Sequence, residues 1–258
     1  MQSRAHVIQL CDYESAYPGS FVPMLSALAE GVEQRGWSFE AVFGAAAEDK
    51  DWYRSLQSGG MHVRAGPPLA RRARPRWVAS MLAERTGPAI LHTHFARWDV
   101  PAVLAARRRG VSRSVALVWH RHGILSRHPP QLLRDVARFG LAGRAVDAHL
   151  CVGPGTHRQL IGRGAPRDRT LLFPNPVDTH RFPLINAEER AQARAELGVA
   201  HDHALLVAFT WEWERKGGPL LLQLVRELTD RGRSVTALVV GGGEADAIIA
   251  AMASNAAG

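Results

Sequence analysis

A chain of 258 residues with 46% hydrophobic and 22% charged side chains can bury a sizeable core and reads as one to two globular domains, which excludes intrinsic disorder. It has no run of about 18 apolar residues, and its early apolar stretch, 5–11, is too short for a signal peptide and ends at Asp12, so the expected location is the cytoplasm. The formal net charge of +8 comes mainly from arginine, clustered at Arg71, Arg72, Arg74 and Arg76 beside Trp77 and at Arg107, Arg108 and Arg109; such patches suit anionic lipid headgroups, nucleotide phosphates or nucleic acid, and the lack of any RNA-binding or zinc-finger signature disfavours the last.

In chain order, the first strand is 6–11, followed by the Pro18-Gly19-Ser20 loop and an amphipathic helix over 21–35 that Gly36 stops. Residues 39–43 form the next strand and 62–64 a weaker one. A basic helix over 76–85 leads to strand 90–94, helix 101–109, strand 115–120, a helix near 131–141, strand 148–152, a short helix over 156–161 and strand 170–173. This alternation predicts an α/β fold with a mostly parallel sheet and helices on both faces, because parallel strands need crossovers and both sheet faces must be covered. Cys11 and Cys151 each end a strand-like run without C-x-x-C spacing, so both are expected as buried thiols.

At Asn175-Pro176 the rhythm breaks. Asn186 followed by Glu189 makes a capping pair for a helix ending near Leu197-Gly198. A second β-α-β then begins, with strand 205–209, helix 218–229 closed by Gly232, strand 235–240, the Gly241-Gly242-Gly243 turn and a last helix over 246–253. The expected organisation is a first domain over 1–182 and the opening portion of a second over 183–258.

Ligands of open parallel sheets bind at the carboxyl ends of the strands, and five places qualify. Gly19 and Ser20 precede a helix and can face an anion or a sugar, or simply form a tight turn. His92 and His94 project to one side of a strand end, as do His120 and His122 on another. These four can hydrogen-bond substrate hydroxyls or phosphate, or be satisfied structural histidines; no carboxylate or cysteine stands at ligand spacing, which argues against a metal. The connector 173–178, containing Asn175 between two prolines, fixes backbone angles where the chain leaves one domain for the next. Arg215 and Lys216 follow an apolar strand and precede Gly217 and Gly218 at a helix start, where unpaired N–H groups and the positive dipole end favour phosphate and the glycines let it approach. The Gly241 to Gly243 turn is a second phosphate-compatible loop.

Taken in order, these segments resemble the family 4 glycosyltransferases of the GT-B fold over nearly the whole chain. HVIQLCDYESAYPGSFVPMLSALAEGVEQRGWSFEAVF resembles that family's first strand, glycine-containing loop and first helix, ILHTHF its fourth-strand end, and WHRHG the next strand with its histidine-glycine end. LLFPNPVDTHRF is similar to the asparagine-glycine-valine-aspartate connector, with Pro176 in the glycine's place, and AFTWEWERKGG followed by ALVVGGG resembles the start of the donor-binding domain. The resemblance implies two Rossmann-like domains and transfer of a sugar, with retained anomeric configuration, from a nucleotide-diphosphate donor to a glycan or lipid-linked acceptor bound mainly by the first domain. By it, Arg215, Lys216 and Gly217 contact the donor diphosphate, Gly19 approaches the donor with Ser20 beside it, and His122 is the catalytic histidine near the transferred sugar. His94, His120, Asn175, Gly241 and Gly243 are further substrate-contacting candidates. Neither a metal nor a cofactor is required in this scheme, because cations and helix dipoles supply the electrostatics.

Many relatives carry an arginine five residues before the lysine; here that position is Trp211, and Arg215 is its substitute. The family's later glutamate pair has no counterpart before the last residue, so the chain is expected to be shortened in its donor-side domain and weak or inactive alone. Two other classes stay open: a non-catalytic nucleotide-sugar-binding module, and a basic protein recruited to anionic membrane or nucleic acid through the Arg71 to Arg76 patch. Peripheral membrane attachment through that patch also fits the leading reading.

Overall fold

The computed structural model describes residues 5–68, 70–108, 115–180, 182–209 and 213–241. The chain divides into two compact units, Met1–Val177 and Asp178–Gly258. The first unit alternates β1 (His6–Cys11), α1 (Phe21–Glu33), β2 (Ser38–Gly44), α2 (Asp51–Ser58), β3 (Val63–Gly66), α3 (Arg74–Ala83), β4 (Ala89–His94), α4 (Asp99–Ala106), β5 (Val115–Arg121), α5 (Pro129–Gly140), β6 (Ala148–Cys151), α6 (Pro154–Gly162) and β7 (Thr170–Leu172). Among the described residues the strands form one seven-stranded sheet in the order β3-β2-β1-β4-β5-β6-β7, with every pairing parallel. This is the expected α/β architecture, with Rossmann-like topology: the chain winds outward from β1 to β3, then returns to β4 and winds the other way. The carboxyl ends of β1 and β4 therefore flank the switch point, where open α/β sheets hold ligands.

Side chains of successive strand residues point to opposite faces, and β1 feeds two cores in this way. Ile8 and Leu10 join α3 and α4 through Val78, Met81, Ala102 and Val103, whereas Val7 and Cys11 join α1 and α2 through Phe21, Met24, Leu25, Trp52 and Tyr53. Gln9 lies between Val7 and Cys11 on the second face and is 1% exposed. The two cysteines are free and buried, as the sequence suggested. One helix was not foreseen. α2 buries Trp52, Tyr53 and Leu56, a one-turn apolar stripe, and is followed by Gly59 and Gly60, the latter at φ 83°.

The second unit contains α7 (Ala187–Glu196), β8 (Ala204–Phe209), α8 (Gly218–Asp230) and β9 (Val235–Val240), with β8 parallel to β9. The Asn186–Glu189 cap forms as expected: Glu189 N–H donates to Asn186 Oδ1 at 2.9 Å, and Asn186 N–H donates to Glu189 Oε2 at 2.8 Å. Packing is sparser here. Val199, Trp213 and Leu221 are buried, while Val207, Phe209 and Leu220 are exposed. The expected helix 246–253 and Gly243, together with Arg109, Arg181 and Trp211, lie outside the described residues. Among the described residues no helix is long and apolar enough to cross a membrane.

Candidate functional site

Strand alternation and register assemble a histidine cluster at the switch point. His94 pairs with Cys11 of β1 on one side and His120 of β5 on the other, so His92 and His94 share a face with His120 and with His122 just beyond β5. Ring centroids are 4.2 Å apart for His92–His94, 4.1 Å for His120–His122 and 5.1 Å for His94–His122. Phe21, the first residue of α1, sets its ring edge against His94 at 4.9 Å and His122 at 5.1 Å. His94 Nδ1 is 2.9 Å from His122 Nε2, and His94 Nε2 is 2.7 Å from Gln9 Oε1.

Two further segments reach this corner. Asn175 Nδ2 donates to Ser20 Oγ at 3.4 Å, tying the connector to the start of α1, and Asn175 also acts on His122. Gly19 has φ 52°, a backbone conformation that favours glycine, and a Cβ there would lie a tight 3.0 Å from the Tyr13 hydroxyl. The Tyr13 ring packs tilted against Phe21 at 4.8 Å and stacks on Phe95 at 5.7 Å. Phe95 itself occupies the left-handed region at φ 70°, which places its ring 4.8 Å from His122. The structure thus brings Gly19, Ser20, His94, His120, His122 and Asn175 into one region of the first unit.

Burial keeps these imidazoles uncharged. Desolvation, followed by the neighbouring imidazoles, pushes His92 and His94 well below the usual histidine range. His120 is lowered to about 4 by burial. His122 is lowered to about 3, first by burial and then by His120 and the Arg121 guanidinium, with Asn175 acting in the opposite direction. Each ring is therefore neutral at pH 7, offering one N–H donor and one lone pair. Of the two ligand types open from sequence, hydroxyls suit such groups better than phosphate, which needs positive charge. On the opposite face of β5, buried Arg121 pairs with Asp99, whose Oδ1 accepts from Thr93 Oγ1 at 2.6 Å. That network clamps the end of β5 to β4 and α4.

His92, His94 and His120 can each offer a ring nitrogen, and these lie within 4.8 Å of one another. A tetrahedral zinc with Zn–N bonds of 2.0–2.1 Å needs nitrogens roughly 3.4 Å apart. His94 would also have to release Gln9 or His122. As arranged, His94 is hydrogen-bonded, while the Nε2 of His92 and both ring nitrogens of His120 are buried without a hydrogen-bond partner among the described residues.

The other predicted group belongs to the second unit. Gly217 takes the N-cap position of α8 in the left-handed conformation at φ 81°, directly after exposed Arg215 and Lys216. Gly218 departs from expectation. A Cβ there would lie 2.2 Å from the Trp213 ring, so the missing side chain makes room for that indole and not for an anion. Its N–H donates to Trp213 O at 2.9 Å, and Pro219 has none, so fewer amides remain at this helix start than the glycine pair implied. Gly241 directly follows β9 at φ 148°. Gln9, Phe95 and Asp99 were not singled out from sequence; only Gln9 carried a signal, as the polar residue inside an apolar strand.

The fold is that of the GT-B class. The chain superposes on Anabaena HepE, solved in complex with UDP and glucose, with a TM-score of 0.66 and 19% identity over 93% of this chain and 63% of that one. The glycosyltransferase from Rickettsia africae ESF-5 gives 0.65 and 12% over 92% and 60%. The lipopolysaccharide outer core galactosyltransferase WaaB, in its apo form, gives 0.60 and 13% over 92% and 68%. At these identities the likeness is one of fold, and the chain spans under two thirds of the length of HepE and of the Rickettsia protein. Residues 24–181 match the model of Glycosyltransferase Family 4, and the chain belongs to that family. No curated protein matches it.

Proposed function

We propose that the chain serves sugar transfer from a nucleotide-diphosphate donor to a hydroxyl of a glycan or lipid-linked acceptor, with retained configuration. The observation that carries this reading is the neutral, mutually hydrogen-bonded His94–His122 pair at the β1–β4 switch point, inside the family match. In this reading residues 1–182 form the acceptor-side domain and 183–258 belong to the donor-side domain. His122 is the catalytic histidine beside the transferred sugar, with Gly19 near the donor and Ser20, His94, His120 and Asn175 contacting substrate. Arg215 and Lys216, with Gly217, hold the diphosphate and offset charge that builds on it as the glycosidic bond breaks, without a metal or cofactor. Gly241 and Gly243 complete the donor side. The Arg71 to Arg76 patch provides peripheral attachment to anionic membrane, and nucleic acid is not a partner.

The complex of HepE with UDP and glucose makes UDP-glucose the first donor to try. Thermal shift against UDP-, GDP- and ADP-glucose tests the reading, since a ligand at 100 times its Kd stabilises the native state by about 2.7 kcal/mol. One nucleotide series is expected to raise the Tm, and Lys216→Ala to abolish the rise. Stabilisation by none of the three would overturn donor binding.

A further inference from the structure

Gln9 interrupts an apolar strand at a buried position, between Val7 and Cys11. Burying an amide without partners costs about 1–3 kcal/mol, so the residue has to be matched by a polar group. That group is His94, whose Nε2 lies 2.7 Å from Gln9 Oε1. A carbonyl oxygen only accepts, so His94 carries its proton on Nε2. A neutral imidazole has a single N–H, and burial holds both His94 and His122 neutral at pH 7. His94 Nδ1 is then a lone pair, and its 2.9 Å contact with His122 Nε2 requires His122 to donate, so that Asn175, the other side chain acting on His122, has to meet a ring nitrogen without a hydrogen. One amide on β1 thereby sets the proton position on two rings of two other strands' ends.

We propose that Gln9 is a positioning residue which, through His94, holds His122 as its Nε2–H tautomer and so leaves His122 Nδ1 as an acceptor. The same face of the sheet supplies the means: Gln9, His94 and His122 all project toward α1, and Phe21 packs against both imidazoles. An opposite orientation of the amide, NH₂ toward His94, reverses every role in the chain and turns His122 Nδ1 into a donor. The two arrangements are therefore distinguishable at His122 itself. The consequence for turnover rests on the glycosyltransferase reading above; the tautomer does not.

The test uses the full chain labelled with ¹⁵N-histidine. Long-range ¹H–¹⁵N spectra at pH 7 report which ring nitrogen of His94 and His122 carries the hydrogen. Both are expected to be Nε2–H in the wild type. Gln9→Glu, which when ionised can only accept, keeps that pattern and raises the His94 pKa, whereas Gln9→Leu, close in size and apolar, shifts His122 into a tautomer mixture. A His122 Nδ1–H form in the wild type, or an unchanged His122 in Gln9→Leu, overturns the proposal. With UDP-glucose as the probe, Gln9→Leu is expected to lower kcat about tenfold, less than the roughly 10²-fold or more of losing a proton-handling group itself, with KM nearly unchanged and recovery in Gln9→Glu. If the wild type turns over no UDP-glucose, that choice of donor fails while the spectra still decide the role of Gln9.

Discussion

The two units of the chain hold their candidate groups in opposite ways. In the first, the histidines stand on strands packed on both faces, wedged by Phe21 and joined by hydrogen bonds of 2.7 and 2.9 Å. In the second, Arg215 and Lys216 ride an exposed turn, supported by Trp213 against Gly218, beside strands whose Val207 and Phe209 are exposed. The difference follows the chemistry. Neutral hydrogen bonds weaken steeply with angle, so they need a rigid frame, while charge attraction falls only as the inverse of distance and tolerates a looser one.

Core truncation should break this contrast most visibly. Leu10→Ala, at a fully buried site of the first unit, is expected to cost about 2–5 kcal/mol, whereas Val207→Ala in the second, half exposed, should cost well under that. Hydrogen exchange read segment by segment distinguishes the two; equal losses would show that the second unit is packed as tightly as the first.

Acid comes next. The folded His120 value of about 4 lies below its ordinary 6.5, so above pH 6.5 both states are neutral and nothing is contributed. Below that the unfolded chain takes the proton first, and stability is lost as pH falls from 6.5 through 4. At about 1.36 kcal/mol per pKa unit the full loss is about 3 kcal/mol, less whatever the neighbouring rings share. His120→Gln should flatten the slope of urea-unfolding free energy against pH, measured between pH 7 and 4.

Gly218→Ala tests the second unit alone. Forcing a methyl into the Trp213 ring should cost about 1–3 kcal/mol there and leave exchange in β1, β4 and β5 unchanged. The smallest effect concerns the Asn186 cap. Asn186→Ala should lose about 1 kcal/mol and fray the start of α7, visible as faster exchange at Glu189.

The strands were legible because those of a parallel sheet are covered on both faces and run largely apolar, as in Val115–Trp119 of β5. α2 escaped because three apolar side chains in eight residues make a weak stripe. That His92 and His94 share a side followed from period-two geometry. Their link to Gln9 could not be read in advance, since the partner sits 85 residues away and only the strand order brings it near. Gly218 misled for another reason: a glycine that admits an anion and one that admits an indole look the same in a sequence.

Both native thiols are sealed in the interior, and burial raises the pKa of each, that of Cys11 with help from Asp12. Maleimide reagents react with exposed thiolate, so they should pass both by in the folded protein. A single surface cysteine, for instance at exposed Glu214, can then carry a fluorophore in an otherwise wild-type background, giving a direct optical readout of whatever docks on that turn.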